Sequence, residues 1–276
     1  MTGRRIVILS TDQNPVYAFF VPLCTLMWRE VCAFDVSVIF VGTVAPWIVE
    51  KAREVGTLVY EASPAPSIGH GAASQLIRLY SCALPYVKDE DYLLSVDADA
   101  WPLADVFRPS GAPVDILYPA SADHAETPYF PIGYIGAAAR SWRSFLGAEG
   151  KTPEACLLRA YETDPYLKKG HSGWNYDETL VTRHLKAWPD FRRARILKRH
   201  GDPLVDRIDR AAWPEDLPDG ELPPGKIDAH LLRPAWTEEN WPRLRPLLAA
   251  RLSEASLRFA DSYRAEWLRR LEGKTS

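Results

Sequence analysis

The sequence predicts an α/β fold with a mostly parallel central sheet and helices on both of its faces. Short apolar runs alternate with helical patterns from residue 5 onward, and two of those runs end in a group of polar side chains. The chain has 276 residues, 47% of them hydrophobic, which is enough for one sizeable core. Because strands and helices that alternate along a chain form parallel sheets, we predict one α/β domain with a helical segment at its C-terminal end.

The first hundred residues carry this alternation. Four apolar runs are predicted to be buried strands, at residues 5–9, 36–41, 57–61 and 91–96, and helical patterns lie between them, after residue 12, at 46–55 and at 74–86. The carboxyl ends of parallel strands meet at one edge of a sheet, where ligands bind. We therefore expect the polar ends of the first and fourth strands, residues 10–12 and 97–99, to face one crevice.

The pattern changes in the second half of the chain. Residues 115–118 and 131–136 are predicted strands, the second with glycines that would allow a ligand or another backbone to approach closely. Residues 141–146 and 177–188 are predicted helices. Residues 201–234 are rich in proline, glycine and charge, which predicts a long irregular loop. Residues 238–271 are predicted to be helical in two pieces, divided at Pro246.

Composition and cysteine usage narrow the functional class. The 33 basic and 36 acidic side chains nearly cancel, to a formal charge of -3, so we expect no nucleic-acid partner. The four cysteines contain no C-x-x-C pair, which predicts reduced thiols in a cytoplasmic protein rather than a zinc cluster or a disulfide framework. The longest apolar stretch, residues 16–28, contains Pro22 and is too short to span a bilayer.

The strongest chemical signal is Asp97-Ala98-Asp99, directly after the fourth predicted strand. Residues two apart in an extended segment project to the same side, so both carboxylates could ligate one hard cation such as Mn²⁺ or Mg²⁺. Such a cation neutralises a leaving diphosphate. The alternative is a solvated turn or a helix cap. The position at a sheet edge favours the metal site, because buried charges are costly without a partner.

Residues 74–107, SQLIRLYSCALPYVKDEDYLLSVDADAWPLADVF, resemble the core of the GT-A glycosyltransferases, especially the glycogenin and lipopolysaccharide-galactosyltransferase type. The resemblance implies a Rossmann-like GT-A fold and transfer of a sugar from a nucleoside-diphosphate sugar, with a UDP-sugar favoured. It implies a single domain over 1–276, with a nucleotide-binding half at 1–118, an acceptor and donor-sugar half at 119–236 and C-terminal helices at 237–276.

The same resemblance implies roles for residues in the first half. Asp97 and Asp99 become ligands of the metal and the ribose, and Arg78 a contact to the nucleotide or its phosphates. The alternative for Arg78 is an arginine on a helix surface. Ser10, Thr11 and Asp12 would line the pocket for base and ribose, unless they only cap a loop.

A third metal ligand is expected near the C-terminal end. The family places a histidine in an H-x-x-G-x-x-K-P-W pattern, and residues 227–236, IDAHLLRPAW, are the counterpart here. The resemblance makes His230 the ligand and pairs Arg233 with the diphosphate. This sequence lacks the glycine of the pattern, and its basic residue lies closer to the histidine. An ordinary surface or capping histidine is the alternative.

Residues 171–178, HSGWNYDE, resemble the acidic segment that opens a helix in the family, which implies catalytic carboxylates at the start of the helix over 177–188. Asp177 and Glu178 would bind donor hydroxyls or accept the proton of the acceptor, with an N-terminal cap as the alternative. Tyr134 and Trp174 could stack on a sugar ring or pack in the core. Pro131 and Ile132 replace the Asn-Ser pair of the family. If one of these carboxylates faces the acceptor as a base, we expect the configuration at the anomeric carbon to be inverted. If neither does, we expect that configuration to be retained.

The expected partners are a nucleotide-sugar donor and a glycan or lipid-linked glycan acceptor. An apolar stripe in the C-terminal helices either packs on the domain or contacts the inner face of a membrane, namely Leu244, Leu247, Leu248, Leu252, Phe259, Tyr263 and Trp267. Two other functions stay open. A nucleotidyltransferase should carry a glycine-rich phosphate loop after the first strand, which residues 10–15 lack. A non-catalytic sugar-binding or scaffold module would not depend on a metal.

Overall fold

The computed structural model describes residues 3–118, 129–164, 167, 175–198, 206–215, 217 and 220–273. The strands in this part of the chain are β1 Arg5–Thr11, β2 Asp35–Val41, β3 Leu58–Ala62, β4 Tyr92–Ser95, β5 Ala100–Pro102, β6 Asp115–Tyr118, β7 Ile135–Ala138, β8 Arg195–Lys198, β9 Asp206–Asp209 and β10 Lys226–His230. The α-helices are α1 Pro15–Ala18, α2 Phe20–Cys32, α3 Pro46–Glu54, α4 His70–Ile77, α5 Ala139–Leu146, α6 Pro153–Thr163, α7 Tyr176–Ala187, α8 Trp241–Ala249 and α9 Glu254–Glu272.

The central sheet has the strand order β3-β2-β1-β4-β7-β6-β8 within the described residues. Strand β1 pairs in parallel with β2 and β4, β2 pairs in parallel with β3, and β6 with β8. Strand β7 runs antiparallel to both β4 and β6. The predicted α/β fold with a mostly parallel sheet is therefore confirmed.

Alternate residues of the central strands pack on opposite faces of the sheet. In β1, Val7 and Leu9 join one buried cluster, which also holds side chains of α2, α3, α8 and α9. Ile6 and Ile8 join the second cluster, with side chains of α4, α5, α6 and α7. These four β1 side chains are completely buried. Each such side chain stabilises the fold by about 1.5–3 kcal/mol relative to an exposed one, so both faces of the sheet anchor β1.

The end of β1 is fixed by the helix that follows it. The Asn14 side chain accepts a hydrogen bond from the Val16 amide at 3.0 Å, and Pro15 stands at the first helical position. A side-chain acceptor before a helix and a proline at its first position both favour a helix start there. The polar residues 10–12 therefore lie at the carboxyl end of the strand, shortly before a helix.

A small second sheet includes two segments of the loop predicted over 201–234. Strand β10 pairs in parallel with β9 and antiparallel with β5. The loop prediction is wrong for these segments because β9 and β10 are only four and five residues long, with one apolar residue in β9 (DRID) and two in β10 (KIDAH). Short strands with so few apolar residues give little hydrophobic signal. Helix α6 and strand β8 were also not predicted.

The C-terminal helices pack against the domain. Their apolar stripe is buried apart from the half-buried Phe259, and Tyr263 and Trp267 lie against Phe19 with ring centroids 5.2 Å and 4.9 Å away. The helical break lies at residues 250–253 rather than at Pro246, which is inside α8, because the Ser253 side chain caps α9. The stripe is thus core, and the suggested membrane contact has no support from it. Among the described helices, none combines the length and the apolar character needed to cross a bilayer.

Candidate active site

A cavity of about 590 Å³ opens at the carboxyl ends of β1 and β4. Its size lies within the range of cavities that bind small molecules and cofactors. The structure brings every predicted site residue to its walls, namely Ser10, Thr11, Asp12, Arg78, Asp97, Asp99, Asp177, Glu178, His230 and Arg233. The prediction that the polar ends of the first and fourth strands face one crevice is therefore confirmed.

The wall from β1 is held by local hydrogen bonds. The Ser10 hydroxyl donates to the Ser74 carbonyl at 2.5 Å, and Thr11 is buried. The Asp12 carboxylate accepts from the Asn14 amide at 3.0 Å and stays partly exposed. The role of these residues in binding a base and ribose stays a prediction, since Ser10 and Thr11 also have structural partners.

One buried arginine joins two of the predicted carboxylates. Arg78 follows α4 in a short 3₁₀ turn and donates to Asp97 at 2.6 Å and to Asp177 at 2.6 Å. Burial opposes ionisation of Asp97, but the guanidinium of Arg78 outweighs it, so the pKa of Asp97 lies below its usual value. Arg78 is therefore not a surface arginine. Its guanidinium orients the carboxylates of β4 and α7 relative to each other.

The two carboxylates at the start of α7 have different environments. Burial raises the pKa of Asp177 despite Arg78, and its second oxygen accepts from the Glu178 amide at 2.9 Å. Burial, followed by the charges of Asp177 and Asp97, raises the pKa of Glu178 to about 7. A carboxylate with this pKa is suited to general base chemistry near neutral pH, whereas Asp177 is committed to its ion pair. Asn175, at the N-cap position of α7, makes no capping hydrogen bond with its side chain.

Asp99 lies in a separate, cationic environment. Its Oδ2 accepts from Arg210 Nη1 at 2.8 Å and lies 3.5 Å from Arg233 Nε and 3.7 Å from His230 Nε2. The side chain is only 4% exposed, so these contacts replace water. Arg233 also donates to the hydroxyl of Tyr17 and lies over its ring.

The register of the second sheet explains how His230 reaches Asp99. His230 lies opposite Ala100 in the β5–β10 pair, and the Leu231 amide donates to the Asp99 carbonyl at 2.9 Å. On the other side, Asp209 is the β9 partner of His230 and lies 3.4 Å from its Nδ1. This hydrogen bond is the largest cause of the lowered pKa of Asp209. The imidazole therefore directs Nε2 towards Asp99.

The predicted metal site is not assembled in this arrangement. Asp97 and Asp99 bind different arginines, and the guanidinium of Arg210 contacts both Asp99 and His230 Nε2. Among the residues described, no three His, Cys, Asp or Glu side chains are grouped so that they could hold a metal ion. The three predicted ligands therefore do not fit a cation here, although they share one cavity. The dependence on Mn²⁺ or Mg²⁺ stays a prediction.

Two arginines in the cavity wall were not predicted. Arg207 and Arg210 come from β9 and the turn after it, within the segment predicted as a loop. Arg207 donates to the buried Asp228, which also accepts from the Tyr134 hydroxyl at 2.6 Å. The ring of Tyr134 is 1% exposed, so it belongs to the core rather than to a sugar platform. Trp174 lies outside the described residues.

The two glycines of the predicted strand over 131–136 serve different neighbours. A Cβ on Gly136 would lie 2.0 Å from the Tyr92 hydroxyl, so this glycine makes room for a core tyrosine. A Cβ on Gly133 would lie 3.3 Å from Asp97 Oδ2 in the cavity. Residues 132–134 form a 3₁₀ turn, and the strand begins only at Ile135. The turn brings Pro131, Ile132 and Gly133 to the wall beside Asp97.

The chain matches no protein-family model and no curated protein sequence. Its fold does match solved structures. The bifunctional glycosyltransferase WbbM aligns with a TM-score of 0.54 and 13% identity, over 93% of this chain and 51% of that one. The glycosyltransferase GlyE of Streptococcus pneumoniae TIGR4 aligns with a TM-score of 0.52 and 12% identity, over 97% of this chain and 64% of GlyE. An active-site mutant of LgtC aligns with a TM-score of 0.50 and 14% identity, over 89% and 95%.

These structural similarities establish the fold. The chain has a glycosyltransferase fold. The GT-A type of fold predicted from residues 74–107 is therefore confirmed, and the likeness to LgtC extends over nearly the whole of both chains. The chain spans about half of WbbM and just under two thirds of GlyE. At this level of identity the comparison establishes the architecture, and the activity has to be argued from the cavity.

Proposed function

We propose that the chain is a glycosyltransferase that moves a sugar from a nucleoside-diphosphate sugar, with a UDP-sugar as the favoured donor, to a hydroxyl of a glycan. A lipid-linked glycan is the alternative acceptor. The observation that carries the proposal is the cavity at the carboxyl ends of β1 and β4, in a fold shared with glycosyltransferases. It combines cationic side chains suited to a diphosphate with a carboxylate suited to a base.

The residues of the cavity divide into two groups by their chemistry. Arg210 and Arg233 carry positive charge beside Asp99 and can contact phosphate oxygens. Glu178 lies in the same cavity with a pKa of about 7 and can accept a proton. Arg78 holds Asp97 and Asp177 in place between them. The donor would lie with its diphosphate towards the first group and its sugar towards the second.

The reaction follows from this placement. An acceptor hydroxyl attacks the anomeric carbon, the bond from that carbon to the diphosphate oxygen breaks, and the electron pair leaves with the nucleoside diphosphate. The proton of the hydroxyl passes to Glu178. Attack on the face opposite the leaving group inverts the anomeric configuration. If the reaction instead retains the anomeric configuration, Glu178 would bind hydroxyls of the donor sugar.

We propose a cytoplasmic location. Cys24, Cys32, Cys82 and Cys156 are all buried and unpaired, as expected for a protein from a reducing compartment. If the chain also binds the inner face of a membrane, the contact would need a surface other than the buried apolar stripe of α8 and α9.

The test is a titration of the purified chain with a panel of nucleotide sugars, followed by turnover with the donor that binds. We expect selective binding of one nucleotide and release of the nucleoside diphosphate when a glycan acceptor is added. Binding without release would indicate a non-catalytic module. Release of pyrophosphate from a nucleoside triphosphate and a sugar phosphate would indicate a nucleotidyltransferase. Either result would contradict the proposal.

A further inference from the structure

The guanidinium of Arg210 stands where the sequence predicts a metal ion. It donates to Asp99 Oδ2 at 2.8 Å through Nη1 and to His230 Nε2 through Nη2. These acceptors are two of the three expected metal ligands, and they lie only 3.7 Å from each other. A divalent cation that bound both would have to displace Arg210, because two positive charges cannot share the same pair of acceptors.

Arg210 is held in this position from two sides. Its own turn is fixed by Asp209, whose side chain accepts from the Ala211 amide at 2.9 Å. The same carboxylate lies 3.4 Å from His230 Nδ1 and so keeps Nε2 directed towards Arg210. The guanidinium is therefore positioned by Asp99, directly before β5, and by His230 at the end of β10, whose orientation is fixed by Asp209 at the end of β9.

Within the part of the chain that the structure describes, Arg210 also has N–H donors without a partner. An arginine carries five N–H donors, and its contacts with Asp99 and His230 use two of them. Its side chain is 26% exposed and belongs to the wall of the cavity. Arg233 lies next to it, with Nε 3.5 Å from the same oxygen of Asp99. Two adjacent guanidinium groups match the charge and the oxygen geometry of a diphosphate.

We propose that Arg210, with Arg233, takes the part of the divalent cation, so that the chain binds and turns over its donor without a metal ion. This inference rests on the proposed function and specifies how that site meets the donor. When the bond from the anomeric carbon to the diphosphate breaks, the electron pair moves onto the diphosphate. The two guanidinium groups, which are positively charged throughout, neutralise that charge. The transfer therefore needs no metal ion or other co-reactant to balance its atoms and charge.

The experiment is a calorimetric titration of the full chain, freed of metal with EDTA, with five nucleoside diphosphates: UDP, GDP, ADP, CDP and dTDP. Each titration is made with and without Mn²⁺. We expect one nucleotide to bind with affinities that agree within about threefold between the two conditions, a difference of under 1 kcal/mol. A separate titration with Mn²⁺ alone should give no binding at the cavity.

The variant Arg210→Ala distinguishes the positive charge of Arg210 from that of a bound Mn²⁺ ion. Without metal it should bind the nucleotide at least about tenfold more weakly, because a charge-assisted hydrogen bond to phosphate is lost. With Mn²⁺ it should recover much of that loss, because Asp99 and His230 are then free to bind the cation. Arg210→Lys keeps the charge and should fall between the parent and Arg210→Ala. Arg251→Ala removes an exposed arginine outside the cavity wall and should match the parent.

Four results are decisive. The pattern just described supports the inference. Nucleotide binding by the parent only in the presence of Mn²⁺ would overturn it while leaving the proposed function intact. Unchanged metal-free binding by Arg210→Ala would also overturn it. No binding of any of the five nucleotides, with or without Mn²⁺, would overturn the proposed function and this inference together. Circular dichroism of each variant, with Arg210→Gln as a second neutral replacement, separates lost binding from lost folding.

Discussion

Replacing Glu178 with glutamine tests the proposed base through both activity and stability. Glutamine keeps the shape of the side chain and cannot ionise. If Glu178 accepts the acceptor proton, Glu178→Gln should lower kcat by about 10²–10⁴-fold. The activity of the parent should rise with pH and level off above about 7, because only the ionised carboxylate is a base.

The same substitution has a predictable effect on stability. The Glu178 pKa is about 7 in the fold, against an ordinary value of 4.5 in an unfolded chain. Between these pH values the unfolded state binds fewer protons, so the parent loses stability as pH rises, and the loss is complete above about 7. The difference corresponds to about 3 kcal/mol at most, and partial exposure reduces it to roughly 1–3 kcal/mol.

The assay is urea unfolding of both proteins at pH 5 and pH 8 together with a pH profile of kcat. We expect Glu178→Gln to be the more stable protein at pH 8, with a smaller advantage at pH 5. Glu162→Gln, which changes an exposed glutamate on α6, is the control and should leave both measurements unchanged. Equal stability of Glu178→Gln and the parent at both pH values would refute the environment assigned to this carboxylate. Activity within a few-fold of the parent would refute its role as the base.

Four further substitutions test the architecture by urea unfolding. Arg78→Met should cost about 3–5 kcal/mol, since it leaves a buried carboxylate without its partner, and a loss under about 1 kcal/mol would contradict the ion-pair network. Gly136→Ala should lower the free energy of unfolding by about 1–3 kcal/mol, because the added Cβ meets the Tyr92 hydroxyl. Gly133→Ala should lower it less, and the reverse order would contradict the neighbours assigned to these glycines. Trp267→Ala should cost about 3–5 kcal/mol, and a neutral effect would show that α9 does not pack on the domain.

The parallel half of the fold was predictable because its strands are buried on both faces. Strands β1, β2 and β4 lie within about two residues of their predicted bounds, since such strands appear in a sequence as continuous apolar runs. The carboxyl-end rule then placed residues 10–12 and 97–99 at one cavity. Strand β7 starts later than predicted because residues 132–134 turn before they enter the sheet.

The second sheet could not be predicted in the same way. Strands β9 and β10 contain one and two apolar residues over four and five positions, and β10 pairs with β5, which lies more than a hundred residues earlier in the chain. Arg210 was missed for this reason. Its only signal in the sequence is a pair of arginines three positions apart, Arg207 and Arg210, within the predicted loop and before the histidine motif.

The partners of the two aspartates were equally beyond the sequence. Asp97 and Asp99 are two positions apart, yet one pairs with Arg78, 19 positions away, and the other with Arg210, 111 positions away. Spacing alone predicts that their carboxylates could share a cation. Which charge each one meets depends on how α4 and the second sheet pack around β4.

The most direct measurement is a crystal structure of the chain with the nucleoside diphosphate that it binds most tightly. We predict that the diphosphate lies in the cavity at the ends of β1 and β4, within hydrogen-bonding distance of Arg210 and Arg233, with Glu178 on the open side where an acceptor would enter. A nucleotide bound elsewhere on the chain, or one in the cavity whose phosphates point away from both arginines, would contradict it.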